Sequence, residues 1–198
     1  MKEELNRLHK QLEFIHEIDK LKYILRKTKL FNSDRPENDV EHSWHLAMIA
    51  MVLSEHVNHP VDLLKVMKML LIHDVVEIDA GDVFFFDKTQ SHDNRPEEYA
   101  AAKRIFGLLP QDQAQELESL WIEFEECKTN DAKFAKAIDC LEPMLQNRSN
   151  KGGTWMEYDV SYQDVLDSKL IMKEISTPLW EYTKELLQKS VDEGILRK

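Results

Sequence analysis

The sequence predicts an all-α fold in a single domain, on three observations. Apolar residues recur at helical spacing, turn formers are scarce at five glycines and six prolines, and no pair of alternating segments reads as a hairpin. Leu5, Leu8, Leu12, Ile15, Ile18, Leu21 and Leu25 recur every three or four residues, so the chain opens with one amphipathic helix, or two in tandem, to about residue 27. After the polar turn Asn32 to Pro36, a segment dense in Ala, Met and Leu predicts a helix from His42 through Val57, closed by Asn58 and Pro60. The next helix starts near Asp62 and runs to about residue 78. It is apolar on nearly every face from Leu63 to Ile72, the pattern of a helix crossing a core, and Gly81 closes it.

Residues 82–95 read as a loop carrying the aromatic patch Phe84-Phe85-Phe86. Pro96, Glu97 and Glu98 read as the first turn of a helix that ends at Gly107. Further helices are predicted over about 111–126, 131–147 and 162–174, the second kinked by Pro143. The last helix has Thr177 as cap, Pro178 at its first position and Gly194 just past its end. Gly152-Gly153 falls in a polar link.

A chain of 198 residues is long enough to bury roughly 70% of its unfolded surface in one core. With 42% hydrophobic and 32% charged residues its composition is globular. Cys127 and Cys140 have no metal-binding spacing and read as reduced thiols. The start, Met1-Lys2-Glu3-Glu4, lacks the apolar core of a secretion signal, which predicts a cytoplasmic protein. The richest apolar stretch, Leu63 to Val76, is broken by Lys65, Lys68 and a His-Asp pair, so no membrane span is expected. A net charge of −11 opposes nucleic-acid binding, which depends on cationic side chains against phosphates. Small anions remain compatible where a bound cation reverses the local field.

The chemistry begins at His73-Asp74, which interrupts the most apolar helix. Burying an ionisable pair without partners costs several kcal/mol. A divalent cation compensates both groups, and on the dipeptide alone a structural His-Asp hydrogen bond competes evenly with it. The chain carries its own control in His92-Asp93, which lies in a polar stretch and reads as solvated loop. Glu77, four residues after His73 and three after Asp74, shares their helical surface, and Asp82 follows at the helix exit. His42 opens the preceding helix, whose start faces the far end of the next when the two are antiparallel neighbours; by itself it reads as solvent-facing. His45 is a supporting partner or plain surface. Asp139 lies among Ala135, Ile138 and Leu141, where a carboxylate needs either a metal or a lysine such as Lys133 or Lys136. His9, His16, His56 and His59 read as solvated.

In order and type these residues resemble the HD-domain phosphohydrolases, and within them the branch of bacterial 5′-deoxynucleotidases. The segment Arg35-Pro36-Glu37-Asn38-Asp39-Val40-Glu41-His42-Ser43 is similar to the Arg-x-Glu-Asn-x-x-Glu-His-Ser segment of that branch, and His73-Asp74-x-x-Glu77 followed by Gly81-Asp82 matches as well. The resemblance implies a helical bundle of the HD type over 1–198, with a metal-binding core of about 26–147 and C-terminal helices of about 160–194. It implies one divalent ion (Mn, Co, Fe, Zn, Ni or Mg) on His42, His73, Asp74 and Asp139, with Glu77 and Asp82 catalytic and Arg26 on the substrate phosphate. The implied reaction is phosphate release from (deoxy)nucleoside 5′-monophosphates. The branch has an Arg-Trp pair where this chain has Arg26-Lys27, so another aromatic wall, Trp155 or Phe84 to Phe86, becomes a candidate against the ordinary role of core packing. The alternatives are an HD hydrolase of nucleoside triphosphates, guanosine tetraphosphate or cyclic dinucleotides, and a non-catalytic metal-stabilised binding module. A di-iron oxygenase on the same scaffold needs more histidine ligands than the sequence offers nearby. The partner is a small phosphate ester, and a homodimer through the first or last helix is open.

Overall fold

A computed structural model describes residues 1–87 and 95–198; the His92-Asp93 control lies outside the described residues. The predicted all-α architecture holds. The helices are α1 (Lys2–Ile18), α2 (Asp39–Leu53), α3 (Leu63–Ile72), α4 (Glu77–Ala80), α5 (Arg95–Phe106), α6 (Gln111–Glu126), α7 (Asn130–Ser149), α8 (Gly153–Glu157), α9 (Tyr162–Ser168), α10 (Leu170–Ile175) and α11 (Thr177–Asp192). Among the described residues no helix is long and apolar enough to cross a membrane. Cys127 and Cys140 are both free.

Four expectations are corrected. The first concerns the tail of the opening helix. The chain leaves α1 through a short 3₁₀ turn, Asp19–Tyr23, and then forms strand β1 (Leu25–Lys29), antiparallel to β2 (Pro36–Asn38), with an irregular register between Leu25↔Asn38 and Lys29↔Pro36. Contacts from far along the chain support this ribbon: the Asn150 side-chain amide donates to the Lys29 and Leu30 carbonyls at 3.2 and 2.9 Å. Second, the helix over 62–78 is interrupted. At Ile72 it gives way to a tight turn, His73–Val76, before the single turn α4. The His73 Nδ1–H donates to the Leu70 carbonyl at 2.9 Å, competing for an acceptor that the α-helical ladder would use, and the Trp121 indole N–H donates to the His73 carbonyl at 3.1 Å. Third, the 162–174 helix is two helices, α9 and α10, and the glycine link contains the short α8. Fourth, Ser176 caps α11 in place of Thr177, its hydroxyl accepting from the Leu179 N–H at 3.3 Å.

The main core joins Leu46 and Ala50 of α2, Met69 and Leu70 of α3, Phe124 of α6, and Phe134, Ile138 and Leu141 of α7, with Met172 and Leu187 from the C-terminal helices. A second apolar cluster holds Leu21, Val75, Val76, Ile105, Phe106 and Trp121. The break after α3 lies between the two. α1 contributes no buried residue, and its stripe Leu5, Leu8, Leu12 and Ile15 stays exposed.

Candidate metal centre

Each functional side chain is delivered by a local device. Asn38 caps α2 by accepting from the Glu41 N–H at 3.0 Å, and the Glu41 carboxylate accepts from the Asn38 N–H at 3.2 Å, so the helix begins at Asp39 and turns His42 inward, fully buried. The turn after α3 aims His73 and Asp74 into the same space. Asp139 comes from α7, which starts where Thr129 accepts from the Ala132 N–H and carries Pro143 within a continuous helix. Arg26 arrives on β1.

The four predicted donors meet. His42 Nε2 lies 3.2 Å from Asp139 Oδ1 and 4.0 Å from Asp74 Oδ2. His73 Nε2 lies 3.0 Å from Asp74 Oδ1 and 3.7 Å from Asp139 Oδ1, and the two imidazole rings are 5.6 Å apart. His42, His73 and Asp139 each offer a ligand atom within 4.8 Å of the others. Arg26 Nη1 donates to Asp74 Oδ2 at 2.9 Å, and Lys136 Nζ is 3.3 Å from Asp139 Oδ2. One oxygen of Asp139 faces the two histidines and the other faces Lys136, one of the two lysines that the sequence offered as its partner.

A family model for the HD domain matches residues 18–180. The chain belongs to the HD domain family. It is 46% identical to a Magnetospirillum magnetotacticum MS-1 protein described as "Predicted metal-dependent phosphohydrolase", whose crystal structure superposes with a TM-score of 0.93 over 97% of this chain and 96% of that one. The human protein 5′-deoxynucleotidase HDDC2 is 32% identical over 137 residues, 68% of this chain and 65% of the human one. The Dictyostelium discoideum protein of the same name is 32% identical over 165 residues, 79% of this chain and 86% of that one. The matched part thus spans just under two thirds of the human relative's length and most of the Dictyostelium one.

The donor chemistry of this HD domain fits a divalent cation. A carbonyl oxygen only accepts, so the contact with Leu70 fixes the proton of neutral His73 on Nδ1 and leaves the Nε2 lone pair pointing at the Asp74 and Asp139 oxygens. Nε2 is buried and makes no hydrogen bond. A lone pair facing anionic oxygens is repulsive unless a cation lies between them, and imidazole with carboxylate is a good donor set for a first-row ion. A proton answers the same repulsion: burial disfavours the charged imidazole, but the Asp74 and Asp139 carboxylates outweigh it and hold His73 up at about 9. Burial also opposes ionisation of Asp74, yet His73, Arg26 and His42 keep its carboxyl below the ordinary range. Asp139 is held well below that range, because Lys136 and the two histidines overcome its burial.

Beside the donors lies an acidic pair that titrates the other way. Asp39, Asp74 and Glu77 bring carboxylate oxygens within 4.8 Å of one another. Burial and the Asp74 charge push Asp39 up to about 7, and burial with Asp74 and Asp39 pushes Glu77 well above its ordinary value. Asp82 is also raised, by burial first, with Arg26 pulling against it. His73, Asp74, Glu77, Asp82, Asp139 and Arg26 all line one cavity of about 530 Å³, within the range of small-ligand pockets. Phe84, Phe85, Phe86 and Trp155 line it too. Trp155 is also a buried core residue, the Phe84 ring packs tilted against Tyr158 with centroids 4.7 Å apart, and Phe85 is exposed.

Sequence reasoning missed Glu37, Asp39 and Glu142, each almost fully buried here. Glu37 and Asp39 read as ordinary acids around a helix start. Glu142 had a usable signal: it lies one turn after Asp139 on a buried helix, as His45 lies one turn after His42. His45 is partly buried, and its Nδ1 lies 3.1 Å from Glu142 Oε1. His9, His16, His56 and His59 are exposed, as predicted.

Proposed function

We propose that this HD domain chain is a metal-dependent phosphohydrolase that releases phosphate from (deoxy)nucleoside 5′-monophosphates, using one divalent ion from the set Mn, Co, Fe, Zn, Ni or Mg. One observation carries the reading: two imidazoles and two carboxylates from α2, the turn after α3, and α7 converge beside the wall of a cavity that also holds Glu77, Asp82 and Arg26. The names of the human and Dictyostelium relatives support the substrate class.

An ion held by His42, His73, Asp74 and Asp139 supplies Lewis acidity toward phosphoryl oxygens and acidifies water. The chain's own residues do the rest. Glu77 takes the proton of the attacking water, a task for which a raised carboxyl is the better base. Asp82, at the cavity edge, returns a proton to the leaving sugar oxygen. Arg26 is fixed by Asp74 through Nη1 and holds non-reacting phosphate oxygens with its remaining donors. Phe84 to Phe86 and Trp155 line the same cavity and stand in for the tryptophan that Lys27 replaces.

Phosphate release from a panel of deoxy- and ribonucleoside monophosphates tests the proposal, using chelated protein resupplied with manganese, cobalt, magnesium or zinc, alongside His73→Ala. Metal-restored release that His73→Ala abolishes is the expected result. A metal-loaded protein that releases no phosphate from any monophosphate overturns the substrate class and turns the search to polyphosphate and cyclic nucleotides.

A further inference from the structure

The two histidines of the centre are backed differently. His73 rests its outer nitrogen on a neutral carbonyl, that of Leu70. His42 turns its outer nitrogen, Nδ1, toward two buried carboxylates: Glu142 Oε2 at 3.3 Å and Glu37 Oε2 at 3.4 Å. Neither oxygen nor His42 Nδ1 is in solvent, and none of the three makes a hydrogen bond, so three buried polar atoms face one another. The other oxygen of Glu142 meets His45 Nδ1 at 3.1 Å, and His45 is about one third exposed. Two carboxylates around one nitrogen repel each other, and each is offset, Glu142 by His45 at its other oxygen and Glu37 by Arg26 Nε, 3.8 Å from the same Oε2.

We propose that Glu142 is the positioning residue of His42, part of a chain His45–Glu142–His42 that keeps the His42 proton on Nδ1 and its Nε2 lone pair toward Asp139 and Asp74. This rests on the reading of His42 as a metal donor. An imidazole presents only one lone pair, and a carboxylate at the opposite nitrogen both selects which nitrogen carries it and makes it more basic; losing such a partner costs about 10- to 100-fold in metal affinity. The helix spacing makes the arrangement. His42 and His45 are one turn apart on α2, and Asp139 and Glu142 are one turn apart on α7, so the helices meet in two rungs, His42–Asp139 and His45–Glu142. Glu37, shared with Arg26, is the lesser of the two carboxylates.

The test measures Co²⁺ affinity of the full chain by competition with a chelator, and records the visible Co²⁺ spectrum, for wild type, Glu142→Gln, His45→Ala and His42→Gln. Glu142→Gln is expected to weaken Co²⁺ binding by about 10- to 100-fold with an altered spectrum, and His45→Ala to weaken it less, in the same direction. If His42→Gln loses affinity while Glu142→Gln binds and absorbs like wild type, the positioning role is overturned and the reading of His42 stands. If neither loses affinity, His42 is not a donor and both ideas fall. Should Glu142→Gln fail to fold, the half-exposed His45 decides: wild-type affinity and spectrum in His45→Ala overturn the chain of contacts.

Discussion

The cluster where α2, α3 and α7 meet and the surface network that ties α1 to the bundle are built from the same residue types with opposite consequences. On the surface, Arg7 forks onto Asp112, and Arg104 bridges Asp79 and the partly covered Glu17, with both arginines open to water. Exposed pairs of this kind contribute little, because solvent serves each partner almost as well. In the cluster the same chemistry is dry. His42, Glu37, Asp39 and Glu142 are essentially without solvent, and each charge there needs a specific counter-charge. The difference teaches that cost of burial, more than residue type, separates a working site from a decorated face.

The largest effect expected from this contrast is on turnover. Glu77→Gln keeps the shape of the site and removes the base, so kcat should fall about 100- to 10,000-fold while metal content, read by elemental analysis, stays at the wild-type level. An active Glu77→Gln would place the inner cluster in the same class as the surface network. Next comes the apolar floor of the cluster. Phe124 is buried, packs on the His73 ring at 5.0 Å and lies beneath the Lys136 ammonium at 4.4 Å. Phe124→Ala should cost about 3–5 kcal/mol in a urea titration, with metal affinity falling as well because His73 loses its backing.

On the surface side, Arg104→Ala should lower the melting temperature by less than about 3 °C, and added salt should erase what difference there is. The smallest effect is one of pH. Burial, with Glu125 nearby, raises the Glu98 carboxyl above its ordinary value, Lys136 and Arg95 opposing. A raised acid binds its proton more tightly in the native state than in the unfolded chain, so its ionisation destabilises the native state at neutral pH and has no effect once both states are protonated. Glu98→Gln should therefore melt slightly higher than wild type at neutral pH, with the gain vanishing in acid below the usual carboxylate range.

Much of this was legible in the sequence. The helices of residues 111–126 and 131–147 were readable to within about two residues because helical periodicity is local. His73, Asp74 and Asp139 stood out as ionisable residues in apolar helices, whereas His42 by itself read as solvent-facing and joined them only through the resemblance to the HD-domain phosphohydrolases; the fold brings all four together. The ribbon of β1 and β2 was not readable, since Leu-Arg-Lys-Thr-Lys carries no strand alternation and its support comes from Asn150, more than a hundred residues away. The break at Ile72 was hidden for a similar reason: it depends on Trp121 reaching the His73 carbonyl from another helix. Glu37 was missed because nothing local distinguishes a buried glutamate in a short strand from a solvated one, and Glu142 because its one signal, a place one turn after Asp139, was not used.

The cavity wall is assembled from two separate stretches of backbone. The donors hang from α2, α7 and the turn after α3, elements that make the main core. Lys27 and the aromatic loop Phe84 to Phe86 face the same space from a two-stranded ribbon and a connecting segment with little core of their own. Arg26 and Asp82 tie the two together: Arg26 rides on the ribbon beside Lys27 yet bonds Asp74, and Asp82 stands two residues before Phe84, so a change at residue 27 or in the loop is felt at once by the buried cluster.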